Sequence, residues 1–245
     1  MAVLRRMMER PAILGARCIA REGGILSNLN AVLPKSQLVE RFGKELILEE
    51  YGRDDLVSIT RQKPESMHGI GASVWNRIVN RRWYPVDPRV FSKQFDEHDP
   101  RLPQAISRLL GTKVIRDIYY VKGWKGTKTD SALVVELLVA LVYRNDLYLA
   151  DVTFVNPDQP ISEGQGFAFQ THKGLGLLPT LLANMQKKAE ELGCEQLTLQ
   201  AATRDQMNLF SKHGFAVEDS PLGRVGLESG VAIPMERDVL KPVPH

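Results

Sequence analysis

The sequence predicts an α+β or α/β fold: a mixed, mostly antiparallel central sheet flanked by helices, with an N-terminal extension. Three observations predict it. Strand candidates Lys113–Val121, Ala132–Tyr143 and Leu147–Val155 follow one another across short connections, and short connections favour an antiparallel meander because parallel neighbours need a long crossover. From residue 178 the period changes, with Leu178, Leu182, Met185, Ala189 and Leu192 recurring at steps of four and three, one face of an amphipathic helix. A strand, a helix and a last strand then follow, which adds helix-linked strands to the meander.

The elements in order begin with residues 1–50, read as a helical or irregular extension before a main domain over 51–245. Ser36–Glu50 predicts a helix that starts at Ser36 and spaces Leu38, Val39, Phe42 and Leu46 helically. Leu56–Arg61 reads as a short strand. Ala72–Arg82 reads as a helix with Val74, Trp75, Ile78 and Val79 on one face. Tyr84–Pro103 carries four prolines and reads as loop. Gln104–Leu110 is a short helix closed by Gly111. Lys122–Ser131 and Arg144–Asp146 are the hairpin connections. Pro179 suits the first turn of the amphipathic helix, where no intrahelical N–H bond is lost, and Gly193 suits its end. Gln196–Ala201 alternates as a strand, Arg204–His213 is a helix closed by Gly214, and Val231–Val239 is the final strand.

Composition bounds the function only loosely. The chain has 245 residues, 43% hydrophobic and 25% charged, with a net charge of +3, the mix of an ordinary globular protein. The first hundred residues hold 16 Lys and Arg against 13 Asp and Glu, while the rest is balanced. So slight a bias does not establish a nucleic-acid partner. Cys18 and Cys194 form neither a metal spacing nor a disulfide framework. No apolar run approaches the roughly 18 residues of a membrane span. The Arg-rich opening has the look of a transit peptide, but Glu9, Pro11 and the missing secretory core favour a cytoplasmic chain.

The most informative stretch is Lys173–Gly174–Leu175–Gly176–Leu177, which opens a helix directly. Alternate glycines let the backbone approach a bulky anion, and the unpaired N–H groups of a first helical turn then point at it. A pyrophosphate fits; so does a plain tight turn. After one strand comes TRDQMNLFSKHGFAVED. Thr171–Asp219 resembles the GNAT superfamily of acyl-CoA-dependent N-acyltransferases, in which an R/Q-x-x-G-x-G/A loop starts a long helix and a K-x-G-F sequence ends a later short one. Gly174 and Gly176 match the small positions, Lys212, Gly214 and Phe215 match K-x-G-F, and Val231–Val239, with its MERDV ending, looks like the family's last strand; the motif region is thus 171–239. Three positions depart from the pattern: Thr171 for Arg or Gln, Thr203 for Asn, and Phe210 for a Tyr that protonates the leaving thiolate. Asn156–Gln170 reads as an insertion ahead of the glycine loop, the alternative being a strand that continues through Ile161–Gln170.

The resemblance implies acyl transfer from acetyl-CoA, or another acyl-CoA, to an amine by direct attack. It implies a cofactor held by Lys173, Gly174, Leu175, Gly176 and Leu177, with Phe210 near its sulfur. The amine must lose a proton, so a base is needed. Asp151, mid-strand beside the expected cleft, and Glu163, in the inserted stretch, are the candidates, with Glu136 a further one; each also reads as an ordinary solvated or ion-paired carboxylate. His172, His213 and Cys194 read as surface or core residues. RIVNRRWYPVDPR, residues 77–89, interleaves four arginines with two aromatics, a pattern that binds RNA by stacking and phosphate contact or makes a helix with an aromatic core face. The amine acceptor stays unidentified, with aminoacyl-tRNA among the options. A non-catalytic acyl-CoA-binding scaffold and a homodimer are both compatible with the sequence.

Overall fold

The computed structural model describes residues 17–20, 28–82, 98–126, 131–162 and 172–239. An eight-stranded mixed sheet runs through the molecule in the order β1-β2-β3-β4-β5-β6-β8-β7. Its strands are β1 (Arg17–Ala20), β2 (Leu46–Tyr51), β3 (Ile115–Gly126), β4 (Ser131–Val142), β5 (Asp146–Phe154), β6 (Gln196–Thr203), β7 (Ala216–Val217) and β8 (Val231–Asp238). Pairing is antiparallel except between β1 and β2 and between β5 and β6. The mixed, mostly antiparallel sheet with flanking helices is the fold class the sequence predicts.

Each face of the sheet carries its own core. One lies under α1 (Lys35–Phe42), α5 (Leu178–Glu191) and α6 (Arg204–Ser211), with Leu38, Leu181, Met185 and Phe210 packed on Tyr119, Leu137, Leu149 and Leu199. The other lies under α2 (Leu56–Gln62), α3 (Pro64–Asn80) and α4 (Leu102–Leu110), with Ile59, Ile70, Val74 and Ile106 packed on Ile118, Tyr120, Leu138 and Tyr148. α7 (Pro221–Ser229) sits between β7 and β8. Strand alternation sorts the side chains between the two cores: Leu137, Val139 and Leu141 of β4 go to the first, Leu138, Ala140 and Val142 to the second.

On β5 this alternation slips by one. Leu147 and Leu149 face the first core, Tyr148 and Ala150 the second, yet Val152 and Phe154 face the first again. The cause is a register shift: Val139 pairs Leu149 while its neighbour Leu138 pairs Asp151, so Ala150 is the extra residue of a bulge. Beyond the bulge β5 leaves β6. The two pair only through Leu147, Tyr148 and Leu149 against Leu197, Thr198 and Leu199, although both continue for several residues.

Three expectations are corrected. Leu56–Arg61 is the helix α2, not a strand; Asp55 accepts the Gly52 N–H at 3.0 Å and Ile59 is buried beneath it. The helix expected over Ser36–Glu50 ends at Phe42, because Gly43 turns the chain at φ +52, and residues 46–51 form β2, buried on alternate residues. Leu29, Val32 and Leu38, ahead of this strand, lie in the first core. The first hairpin is longer than expected, since β3 runs to Gly126.

Candidate active site

Where β5 and β6 part, a cavity of about 940 Å³ opens between them. It is walled by Tyr148–Val152 and Phe154 of β5, by Leu199, Gln200, Ala202 and Thr203 of β6, by the Gly174–Leu178 turn, by Phe210 of α6, and by Glu65, Ser66 and Gly69 of α3. The opening passes through the sheet, so one mouth lies on the α5 side and the other on the α3 side.

The α5 mouth is lined by the Gly174–Leu178 turn and by Phe210. Of the five residues expected to hold a cofactor, Gly174, Leu175, Gly176 and Leu177 line the cavity and Lys173 does not. The Lys173 amide is taken by the Gln159 carbonyl at 2.8 Å, and its carbonyl accepts the Asn156 N–H at 2.6 Å. This pairing and the bridge between Pro160 and His172 follow directly on β5; residues 163–171, which hold most of the inserted stretch with Glu163 and Thr171, lie outside the described residues. The next four N–H groups, of Gly174 to Leu177, have no acceptor among the described residues. Helix α5 begins immediately after them, without a side-chain cap and with Pro179 in its first turn. Four free donors at a helix N-terminus favour a bound anion through hydrogen bonding and the helix dipole together. Glycine suits two of the four. A Cβ on Gly174 would sit 3.2 Å from the Phe154 carbonyl, and Gly176 holds φ +70, a conformation L side chains rarely adopt.

Phe210, 6% exposed, sits at the same mouth with its ring edge-on to Phe215, centroids 5.9 Å apart; the Arg237 guanidinium covers Phe215 at 5.0 Å. Thr203 caps α6: its hydroxyl accepts the Gln206 N–H at 3.3 Å while the Gln206 side chain accepts the Ala202 N–H at 2.8 Å. The departure at Thr203 thus preserves a local helix-starting role.

The α3 mouth is made of side chains. Asp151 lines the cavity and is ion-paired to Lys63, whose ammonium also lies 3.3 Å from Glu136. Glu136 accepts the Tyr120 hydroxyl at 2.7 Å and has Lys122 at 3.6 Å. Burial alone would push the Glu136 carboxyl up; the Tyr120 hydrogen bond and the two lysines outweigh it and hold it below its ordinary value. Burial likewise opposes the charge on Lys63, and Asp151 and Glu136 outweigh it, raising the ammonium above its ordinary value. The structure therefore brings Asp151 to the cavity and keeps Glu136 behind it in a shared ion-pair cluster. Lys63 was not legible as a partner: nothing in the sequence ties a residue between two helices to a strand almost ninety positions later.

Deeper on this side, α3 is fixed to the strands by a buried network. Arg77, 2% exposed, pairs with Asp146 and reaches Glu236 at 3.3 Å; Arg81 donates to Gln196 at 2.9 Å. Burial pushes the Asp146 carboxyl up to about 6 in spite of both arginines. Two of the arginines that suggested an RNA surface are thus engaged with carboxylates and Gln196, and Trp75 packs on the second core; residues 83–89 lie outside the described residues. Cys194 is a core residue, its thiol pushed up to about 11, first by burial and then by Asp146. Among the described residues there is no His, Cys, Asp and Glu grouping suited to a metal, and no helix long and apolar enough to cross a membrane.

No family model matches the chain, and no curated protein matches it. The solved structures similar to it include an acetyltransferase of the GNAT family from Staphylococcus aureus, 11% identical with a TM-score of 0.33, covering 79% of this chain and 99% of that one. A Salmonella typhimurium protein with its cofactor acetyl-CoA is 16% identical with a TM-score of 0.33, over 82% and 97% of the two chains. A Bacillus subtilis acetyltransferase in complex with CoA is 12% identical with a TM-score of 0.32, over 49% and 78%.

Proposed function

We propose that this chain is an acyl-CoA-dependent N-acyltransferase that passes an acyl group, expected to be acetyl, directly to an amine. The observation that carries this reading is the row of four N–H groups, Gly174 to Leu177, without an acceptor among the described residues, at the start of α5 and on the wall of the cavity. A diphosphate is the ligand such a row suits, and the Cβ-free surfaces at Gly174 and Gly176 give it room. An acyl thioester supplies an activated carbonyl carbon and a thiol leaving group. The parted edge of β5 beyond Leu149 offers main-chain donors and acceptors to a linear amide chain and a donor to a carbonyl oxygen. Phe210 gives this mouth an apolar wall without a proton to donate. A thiol near the cysteine reference of about 8.5 leaves tolerably as its anion, so the missing hydroxyl does not forbid transfer. Asp151 is a carboxylate on the cavity wall that can take the amine's proton, once Lys63 yields the oxygen it holds; Glu163 is the second candidate for that role.

Calorimetric titration with acetyl-CoA and CoA tests this. The wild type should bind both, and Gly176→Glu, which adds strain, bulk and negative charge, should lose at least ~100-fold in affinity with an unchanged circular dichroism spectrum. Undiminished affinity in the folded variant would sink the assignment. A second reading, a non-catalytic acyl-CoA binder, is favoured by Phe210 and by the Lys63 grip on Asp151. Thiol release from acetyl-CoA over an amine panel separates the two.

A further inference from the structure

Tyr148 is 3% exposed, and its hydroxyl has no hydrogen-bond partner among the described residues. The oxygen is not among the fully buried unpaired side-chain atoms, so it opens to the cavity, where water or a ligand can meet it. Burial and then the Glu218 carboxylate push the phenol well above its ordinary range, so it stays a neutral hydroxyl. It stands on the cavity wall facing Gly69 of α3, where a Cβ would lie 4.0 Å from the hydroxyl oxygen. Glycine inside a helix normally answers a packing need, as at Gly71, whose missing Cβ would fall 2.8 Å from Leu102. No such pressure exists at Gly69; what its missing side chain leaves is a slot over the Tyr148 hydroxyl. Glu65 and Ser66, one turn earlier on the same helical face, and Asp151 across from them border this slot. Its border carries carboxylates, and the neighbouring cations Lys63 and Lys122 are turned toward Asp151 and Glu136.

We propose that the Tyr148 hydroxyl and the slot at Gly69 form the acceptor subsite, which takes an unbranched primary amine bearing a second positive charge. Tyr148 is a positioning residue: its oxygen accepts a hydrogen bond from the amine N–H, and the narrow slot excludes branching beside the nitrogen. Glu65 attracts the distal ammonium. The inference rests on the acyltransferase reading for its chemistry but not for its binding step.

The test uses 1,4-diaminobutane, butylamine and tert-butylamine, each titrated by calorimetry with and without CoA and assayed for thiol release from acetyl-CoA. The wild type should prefer the diamine, bind butylamine about tenfold more weakly, and reject tert-butylamine. Tyr148→Phe should raise KM for the diamine about tenfold, with kcat within a factor of about three, an unchanged melting temperature and unchanged CoA affinity. Gly69→Ala should raise the same KM while melting no lower, since alanine is the better helix former. Loss of CoA binding in the wild type would defeat the acyltransferase reading and leave amine binding to be judged by calorimetry alone. CoA binding with none of the amines bound, or with KM unmoved in both variants, overturns the subsite, as does a fall in melting temperature that accounts for the change.

Discussion

The two mouths of the cleft are built in opposite ways. On the α5 side the polar groups are main chain, four consecutive N–H groups from Gly174 to Leu177, beside the Phe210 ring. On the α3 side they carry the side chains of Glu65 from α3 and of Tyr148 and Asp151 from β5, with Lys63 and Glu136 behind them. A main-chain site is written in a few adjacent residues and tolerates change elsewhere. A side-chain site exists only while α3 lies correctly on the sheet, so it inherits the stability of everything that holds α3 there.

The largest expected effect breaks that support. Arg77→Ala leaves the Asp146 carboxylate buried without its main cation, which should cost about 3–5 kcal/mol, measured by denaturant unfolding at neutral pH. The loss should shrink in acid. The folded-state value of Asp146, already about 6 against 3.8 unfolded, rises further without Arg77. The native chain then holds more protons than the unfolded one between these values, so stability falls as pH rises through the window and is regained below it. An equal loss at pH 5 and pH 8 would show that Arg77 acts through packing rather than charge. CoA affinity of the remaining folded protein should be nearly unchanged, because the α5 mouth does not depend on Arg77.

Phe210 probes the other mouth. Phe210→Ala should cost about 3 kcal/mol or more in stability, since the ring is buried against Phe215. Phe210→Tyr should fold normally and keep or raise kcat on a confirmed acceptor, by less than the 10²–10⁴-fold of a positioned acid. A folded, CoA-binding Phe210→Tyr variant with almost no turnover would show that the ring does not neighbour the thiol. The smallest effect belongs to Thr203: Thr203→Ala should cost about 1 kcal/mol by uncapping α6, and Thr203→Asn almost nothing. A large loss with Asn would mean that the side chain does more than cap the helix.

The contrast also explains which parts were legible. The meander, the long helix at 178 and the glycine turn are local patterns, read from period and spacing. Phe210 and Asp151 were placed by resemblance, and both reach the cavity wall. Residues 46–51 were hidden because LILEEY satisfies a helical count as well as an alternating one until its neighbour β3 is known. Residues 56–61 misled because Val57, Ile59 and Thr60 are β-branched, yet only Ile59 is fully buried and the chain is short enough for packing to override propensity. Helix α7 was invisible because of its glycines; a Cβ on Gly223 would lie 2.0 Å from the Glu218 carbonyl. Tyr148, Gly69 and Lys63 gave no signal at all, since their significance lies in distances between residues far apart in the chain.

The short stretch of pairing between β5 and β6 has one more consequence. Five strands lie on one side of it and three on the other, and within the sheet they are stitched together only at Leu147–Leu149 and Leu197–Leu199. Mechanically the sheet is a book with two covers and a narrow spine, opened by a single surplus residue, Ala150. A ligand that hydrogen-bonds the free margin of β5 and rests on the start of α5 takes the place of the missing pages, so the occupied protein regains across the gap the continuity that its own backbone gives up.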